Sequence, residues 1–269
     1  MAKYNKKRAR ELKHDKFRDT TMSLFDRLGE KLEGKGRTIL YALGAAALVF
    51  ALGLVFMKWR DRKTAEAEQA FGRAVEVAST PVSPSPLPGT TTESFPTETA
   101  RAQRAAEEFQ KVADKYGNPY HEKALYFVAA NQLVLDRAKG VAQLEPLTKS
   151  SDREVAALAK FALAQAKEAD AKYDEAAAVY RQLATDGGTV ITPEVANLRL
   201  AVVYGKQGKK QEAAEMLFNI ADAARKAKDQ NGKAKPQTAA AREAAQELQK
   251  IDPQRYAKLA PEPPASEIS

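Results

Sequence analysis

The chain has 269 residues and is basic, with 43 Lys and Arg against 35 Asp and Glu and a formal net charge of +8. It has no cysteine and two histidines, His14 and His121, so disulfides, thiolate metal sites and thiol nucleophiles are excluded. Alanine fills 51 positions and aromatic residues make up 7%. This composition is typical of closely packed helices, and we predict an all-α protein.

Most of the net charge lies in an N-terminal tail, residues 1–37, which holds 12 Lys and Arg and 6 Asp and Glu. Because the rest of the chain is nearly neutral and the tail has few aromatic residues, we expect no nucleic-acid partner. We interpret the tail as a basic cytoplasmic segment whose cations attract anionic lipid headgroups.

The segment that follows the tail, residues 38–57, has no charged or amide side chain and reads TILYALGAAALVFALGLVFM. A helix of this length measures about 30 Å, which is the thickness of the bilayer hydrocarbon. A buried core helix is the alternative, but such helices seldom stay apolar around their whole circumference. The chain continues as KWRDRK without a small-x-small cleavage site. The sequence therefore predicts an uncleaved transmembrane signal anchor.

The orientation of this span follows from the whole tail rather than from its immediate flanks. Four Lys and Arg lie in 27–37 on one side, and another four lie in 58–63 on the other, which gives no preference. Because translocation of a tail with 12 cations is unfavourable, we predict that the N-terminus is cytoplasmic and that 58–269 lies outside the membrane. A cytoplasm-facing adaptor with inverted topology is the alternative.

After the span, the sequence predicts a helix over 58–78 that continues from it. Residues 79–99 contain five prolines and ten Ser and Thr, which predicts a disordered loop. A helical region then runs over 100–227. A capping helix is predicted at 237–251 and a disordered tail at 252–269.

The region 100–227 contains a repeated pattern of small and large residues. In each of two units a small residue is followed 12 positions later by another small one and four positions after that by a large apolar one, and the second unit lies 37 residues after the first. Two antiparallel helices can approach closely only where small side chains face each other, so we assign these positions to packing. The packing residues are Ala164, Ala176, Tyr180, Ala201, Tyr204, Ala213 and Leu217.

The same pattern extends weakly toward the N-terminus. A degenerate unit places Ala130 and Ala142 at the small positions, and Pro146 stands at the large position, where it spoils the pattern. A still earlier unit pairs the helix at 61–78 with one that carries Ala105 and Phe109. We therefore predict a helical-repeat solenoid; a generic alanine-rich helical bundle is the alternative.

The first helices of such repeats line a concave groove. Counting from the pattern, the candidates that face this groove are Asn131, Gln165, Glu168, Val202 and Lys206. For each of them an ordinary solvated helix face is the alternative interpretation.

An enzyme is not expected from this sequence. Beyond the span the chain has a single histidine, His121, followed by Glu122, and an exposed non-catalytic role is its simplest interpretation. A Ser–His–Asp arrangement around it stays open. No metal-ligand or cofactor motif is present, so we expect no cofactor, no metal and no small-molecule substrate.

The repeated pattern resembles the tetratricopeptide unit of about 34 residues. The order of basic tail, uncleaved span and alanine-rich repeat domain is similar to the bacterial family of tetratricopeptide-like ancillary subunits of the SecYEG translocon. The segment EEFQKVADKYGNPYHEKALYF also looks like repeats of periplasmic cell-division coordinators and outer-membrane assembly proteins.

The resemblance implies a single-pass protein of the bacterial inner membrane with a periplasmic domain. It implies a scaffold for protein–protein interactions, whose partners are translocon subunits, exported chaperones or envelope assembly factors, together with the bilayer. A coordinator of cell division or outer-membrane assembly is the alternative within the same architecture.

Overall fold

The structure, a computed structural model, describes residues 36–83 and 94–262; the side chains of residues 36–47, 56, 59 and 61 are outside this description. Nearly all of the predicted basic tail, 1–37, lies outside the described residues. So do the centre of the Pro-rich segment, 84–93, and the end of the C-terminal tail, 263–269.

The described ranges are helical and contain no strand beyond two isolated bridges. The predicted all-α class is confirmed for this part of the chain. In chain order the helices are α1 (Gly36–Ser79), α2 (Glu98–Lys115), α3 (Tyr120–Leu135), α4 (Arg137–Leu147), α5 (Arg153–Ala169), α6 (Tyr173–Asp186), α7 (Pro193–Lys206), α8 (Lys210–Lys226), α9 (Ala239–Ile251) and α10 (Pro253–Tyr256).

The chain divides into two units, Met1–Thr64 and Ala65–Ser269. The described residues of the first unit belong to α1. The predicted span, 38–57, lies in this helix, and its side chains are described from Leu48 onward, except residue 56. Among the described residues, no helix combines the length and the apolar character that a membrane crossing requires.

In the second unit, six of the described helices begin at a capping side chain. In each case a Thr or Asp oxygen accepts a hydrogen bond from a backbone N–H of the first turn. The caps are Thr97, Asp136, Asp152, Thr192, Thr238 and Asp252. Such a bond stabilises a helix by about 1 kcal/mol. The caps therefore fix where each of these helices starts.

The helices of the second unit pack in chain order, each from α2 to α9 against the next. Their apolar side chains form four clusters, and each cluster is built mainly from three consecutive helices. The clusters are centred on α2, α4, α6 and α8. Because each hairpin shares its core only with its neighbours, the arrangement is that of a helical repeat.

The second helix of each hairpin carries a buried small residue and, four positions later, a buried large one. The pairs are Ala105–Phe109, Gly140–Leu144, Ala176–Tyr180 and Ala213–Leu217. All four large side chains are at most 1% exposed. The small residue lets the two helices of a hairpin approach, and the large one fills the space toward the following hairpin.

The register predicted for the α3–α4 hairpin is wrong. Ala130 is only half-buried and Ala142 is exposed, whereas Ala129 and Gly140 are buried. The prediction failed because the lengths of the connecting segments differ between hairpins, so a fixed offset does not carry over from the later units.

The large position of this hairpin is also not the one predicted. Leu144 is fully buried at this position, while Pro146 is exposed in the last turn of α4. Because a proline cannot donate a hydrogen bond to the carbonyl four residues earlier and its ring clashes with that carbonyl, α4 ends one residue later, after Gly140 and Leu144 have made the close contact with α3.

The ends of the Pro-rich segment are ordered by backbone hydrogen bonds. The Phe95 N–H donates to the Pro81 carbonyl at 2.9 Å, and the Ser83 N–H donates to the Phe95 carbonyl at 2.9 Å. The predicted disorder over 79–99 is therefore wrong for these two ends.

The C-terminal part of the described chain covers the last cluster. Helix α9 packs on α7 and α8, in the place predicted for a capping helix. Beyond it, Leu259 is only 9% exposed, and the Arg225 guanidinium donates to the Ala260 carbonyl at 2.8 Å. The prediction of a disordered tail is wrong for 252–262, because this segment is held on α8.

Replacement of Gly140 by alanine tests the close approach of α3 and α4. A Cβ atom at this position would lie 2.6 Å from the Leu133 backbone nitrogen. We expect Gly140→Ala to lower the free energy of unfolding by about 1–3 kcal/mol, measured by thermal unfolding of the full-length chain followed by circular dichroism.

Gly205→Ala is the matched control, because its new methyl group would meet only the Ala213 Cβ at 4.0 Å. Gly205 is the second-last residue of α7, where alanine is no less favourable than glycine for the helix, so this variant should be at least as stable as the wild type. A Gly140→Ala variant of undiminished stability would contradict the packing described for α3 and α4.

Candidate functional site

An open cavity of about 650 Å³ lies between α2 and α4, with α3 as its floor. We call it the α3–α4 cavity. Most of its lining is apolar and comes from one face of α3 and the C-terminal half of α4, and the segment after α4 closes one side. The principal lining residues are Leu125, Val128, Ala142, Gln143, Pro146 and Leu147. A concave apolar surface of this size fits a few side chains of a peptide.

The polar part of the wall is a hydrogen-bonded cluster around Glu122. The Ser150 hydroxyl and the Asn118 amide each donate to one oxygen of the Glu122 carboxylate, the amide at 2.9 Å. These two bonds, the one from Ser150 first, hold the pKa of Glu122 below its ordinary value. Ser150 also accepts the Asp152 N–H at 3.0 Å. The cluster therefore ties the start of α3 to the start of α5.

His121 also lines the cavity. Its Nδ1 atom lies 2.8 Å from the Ala113 carbonyl oxygen, which can only accept, so Nδ1 carries a proton and donates it to this bond. Within the described residues, no hydrogen bond joins His121 to Ser150, whose hydroxyl donates to Glu122 instead. Nucleophilic activation of a serine requires a base that accepts its proton. The arrangement here orients a carboxylate rather than a Ser–His pair.

Two of the predicted groove residues are paired with each other. The Lys206 ammonium lies 2.6 Å from one oxygen of Glu168, and the Tyr180 hydroxyl donates to the other at 3.1 Å. Burial and the adjacent Glu168 carboxylate raise the pKa of Tyr180 well above its ordinary value. This network connects the α5–α6 hairpin to the α7–α8 hairpin, so these side chains contribute to packing between hairpins.

The other three predicted groove residues lie apart from the cavity. The Asn131 amide donates to the Phe127 carbonyl of its own helix at 2.7 Å, Val202 packs against the cluster centred on α8, and Gln165 is exposed. None of the five predicted residues lines the α3–α4 cavity.

Sequence reasoning missed this cavity for an identifiable reason. The predicted register placed Ala142 inside the hairpin, whereas Ala142 faces the cavity. The sequence does contain a pattern that places Ala142 correctly. The pair Gly140–Leu144 has the same four-residue spacing as Ala105–Phe109, and a register based on this pair places Ala142 on the outer face of α4.

Ion pairs connect the first helices of successive hairpins. Each joins a cation on one first helix to a carboxylate on an adjacent one. The pairs are Lys123–Glu154 at 3.6 Å, Lys206–Glu168 at 2.6 Å and Arg199–Glu243 at 3.5 Å. Because these side chains are partly exposed, each pair contributes about 1 kcal/mol or less. The pairs occupy the face on which the sequence predicted a ligand groove.

In the described part of the chain, no group of three or more His, Asp or Glu side chains is arranged to hold a metal ion. Comparisons of this chain with protein-family models, curated proteins and solved structures found no match.

The Glu122 cluster predicts a pH-dependent stability. A carboxyl group whose pKa is lowered by folding stabilises the fold above its unfolded pKa, and this stabilisation is lost as the pH falls through the folded-state pKa. We expect Ser150→Ala to lower the free energy of unfolding at pH 7 by about 1 kcal/mol or less. The deficit should shrink below the ordinary pKa of 4.5.

Urea unfolding at pH 7 and at pH 3.5 measures this difference. The bond from the Asp152 N–H to Ser150 is lost at both pH values, so the change between them isolates Glu122. Ser151→Ala is the control, since Ser151 is exposed and lies beside the cluster. A deficit of equal size at both pH values would contradict the assignment.

Proposed function

We propose that the chain is a membrane-anchored, tetratricopeptide-like scaffold that binds a peptide segment of another protein in the α3–α4 cavity. The observation that carries the proposal is the cavity itself, an open apolar floor with polar groups at its edge. The packing of α2, α3 and α4 around shared cores supports a preformed site. The proposal assigns no catalysis and no cofactor to the chain.

The proposed anchor is the segment 38–57. Its support is the lack of any charged residue along its whole length and the exposure of its described apolar side chains. Seven large apolar side chains between Leu48 and Met57 are 49–68% exposed on α1. Contiguous apolar surface of this kind is unfavourable in water and favourable in lipid.

The proposed location is the bacterial inner membrane, with the N-terminus in the cytoplasm and the repeat domain in the periplasm. The 12 Lys and Arg of the tail support this orientation. By resemblance of its architecture, we propose an accessory role at the Sec translocon, with exported chaperones as further partners. Coordination of cell division or envelope assembly is the second candidate, and an inverted, cytoplasm-facing adaptor is the third.

Charged substitutions within the proposed span test the anchor. A lysine at the centre of a membrane helix costs about 2.5–3.5 kcal/mol, so the double variant Leu48→Lys, Leu52→Lys should shift the chain from the carbonate-resistant membrane fraction to the supernatant. Ala65→Lys, a charged substitution outside the span, should stay in the membrane fraction.

A reporter that is active only outside the cytoplasm, fused after Ser269, tests the orientation in the same cells. Activity of the wild-type fusion supports the periplasmic placement. An inactive but stably expressed fusion would replace it by the inverted topology.

Site-specific photo-crosslinking in membranes tests the binding site. A crosslinking amino acid at Gln143, which lines the cavity, should capture a defined partner, while the same group at the exposed Gln249 of α9 should not. Filling the cavity by Ala142→Phe should abolish the crosslink without loss of helicity, because Ala142 is exposed. A crosslink that survives Ala142→Phe would contradict binding in the cavity.

The identity of the captured protein separates the candidates. Translocon subunits or exported chaperones would support the first role. Division or outer-membrane assembly proteins would support the second.

A further inference from the structure

The described end of the chain lies against α8 as a segment without helix or strand. It consists of residues 257–262, directly after α10, and we call it the C-terminal strap. One of its side chains enters the core: Leu259 is 9% exposed and belongs to the cluster centred on α8. The other residues of the strap are exposed or only partly buried. The strap is therefore attached to the apolar core through one leucine.

Two side chains of α8 bind the strap backbone at a single residue. The Arg225 guanidinium donates to the Ala260 carbonyl at 2.8 Å, and the Ala260 N–H donates to the Asp222 carboxylate at 3.2 Å. Asp222 and Arg225 are three residues apart in α8, so they lie on the same face of the helix. Because both bonds go to the backbone, they do not depend on the side chain at this position of the strap.

The same arginine also binds the last described residue of the strap. Arg225 lies 3.0 Å from the Glu262 carboxylate, three residues after Leu259, and its aliphatic and guanidinium atoms are well covered. The side chain of Arg225 is 7% exposed, whereas that of Glu262 is 69% exposed. The Arg225 guanidinium is also 5.7 Å from the centre of the Tyr256 ring. Arg225 is thus a fixed part of the site, and the carboxylate reaches it from the solvent side.

The other carboxylates of this site have cations of their own. Asp222 pairs with Lys226 at 2.5 Å, and Asp252 pairs with Arg255 at 3.6 Å. Within the described residues, the ion-pair partner of Arg225 is Glu262. Arg225 therefore recognises a carboxylate on the bound segment, and this contact is seen directly.

The floor of the site does not depend on the strap. Every buried member of the cluster other than Leu259 belongs to α7, α8 or α9. Terminal segments with few buried contacts open at a low free-energy cost. We therefore expect the strap to leave α8 while the three helices stay packed.

A buried arginine is a poor choice for a purely structural cap. Among the described residues, the Arg225 Nε atom is buried without a hydrogen-bond partner, which is unfavourable. Apolar side chains of similar volume stabilise a buried position at least as well as an ion pair. Arginine is, however, enriched among the residues that dominate binding between proteins.

We propose that the site on α8 around Arg225 binds a segment of another protein that presents a leucine and, three residues later, a carboxylate. The C-terminal strap occupies this site in the free protein and competes with the partner. The site belongs to the last hairpins and shares no residue with the α3–α4 cavity, so the inference goes beyond the proposed function and does not rest on it.

A partner protein fits this site better than a second copy of the chain does. A second copy offers the same segment as the strap, and the tethered strap has the advantage of a high effective concentration. A partner segment displaces the strap when the residues around its leucine and carboxylate add contacts that the strap lacks.

Fluorescence anisotropy with a labelled peptide of residues 252–262 and the full-length chain in mild detergent tests the proposal. The double variant Leu259→Ser, Glu262→Gln weakens the strap and frees the site. We expect it to bind the peptide about tenfold or more tightly than the wild type does, because the competitor is removed. Ala260→Pro, which removes the N–H that Asp222 accepts, frees the site without a change in the core and should give the same direction.

Variants of the peptide measure what the site recognises. Replacing the leucine of the peptide by serine should weaken binding to the freed chain about tenfold or more. Replacing its last glutamate by glutamine should weaken binding about threefold to fivefold, because the ion pair is partly exposed. A second peptide that keeps only this leucine and glutamate, between Gly and Ser residues, should bind within about tenfold of the first.

Variants of α8 locate the binding. In the freed chain, Arg225→Gln should weaken binding about tenfold. Arg242→Gln is the matched control, since Arg242 is an exposed arginine of α9 and should leave the affinity unchanged. Ala142→Phe, which fills the α3–α4 cavity, should also leave it unchanged. Circular dichroism confirms that each variant is folded.

Each contrary result overturns a defined part of the inference. If the freed chains bind the peptide no more tightly than the wild type does, competition by the strap is overturned. If Arg225→Gln binds as well as its parent, or if Ala142→Phe abolishes binding, the site on α8 is overturned. If the wild type is a dimer in sedimentation equilibrium and Leu259→Ser is a monomer, the occupant is a second copy and the partner protein is overturned.

Discussion

The structure depends on the close approach of paired helices at small residues. In each second helix a buried alanine or glycine allows contact with the first helix, and the large side chain four positions later fills the gap toward the next hairpin. Every core is built mainly from the two helices of one hairpin and the first helix of the next. Removal of one close contact therefore also affects the packing of the following hairpin. The need for small side chains where paired helices touch accounts for the high alanine content of the chain.

The same constraint positions the candidate site. The absence of a side chain at Gly140 allows α4 to pack closely against α3. Because α4 ends after 11 residues, the face of α3 near its start stays open beside α2. The Glu122–Ser150 bond fixes the segment that closes the cavity. A cavity bounded by packed helices on three sides has little conformational entropy to lose when it binds a ligand, which suits a preformed recognition surface.

Charged side chains lie both on the face of the first helices and at the edge with the cavities, which are the α3–α4 cavity and one of about 350 Å³ between α5 and the end of α6. On the face of the first helices, cations such as Lys206 form ion pairs between hairpins. At the edge with the cavities, Lys149 and Arg153 form no such pair within the described residues. Partly exposed pairs add little stability, and the edge with the cavities also carries the Glu122 and Asp152 carboxylates, whose hydrogen-bond donors are all neutral. The edge therefore differs from the predicted groove by its cavities and not by an excess of charge.

The sequence by itself determined the all-α class and the repeat-like periodicity, because composition and the spacing of small residues along a helix are local properties. The predicted packing residues from Ala164 to Leu217 are buried except Tyr204, which is only partly buried. The sequence also supplied the uncharged segment 38–57. Only the tertiary structure decided the register of the α3–α4 hairpin, where a variable linker shifted the pattern and turned Ala142 toward a cavity. It also decided which charges are paired and that 252–262 is held on α8. Both depend on contacts between residues of different helices, which no local sequence pattern relates.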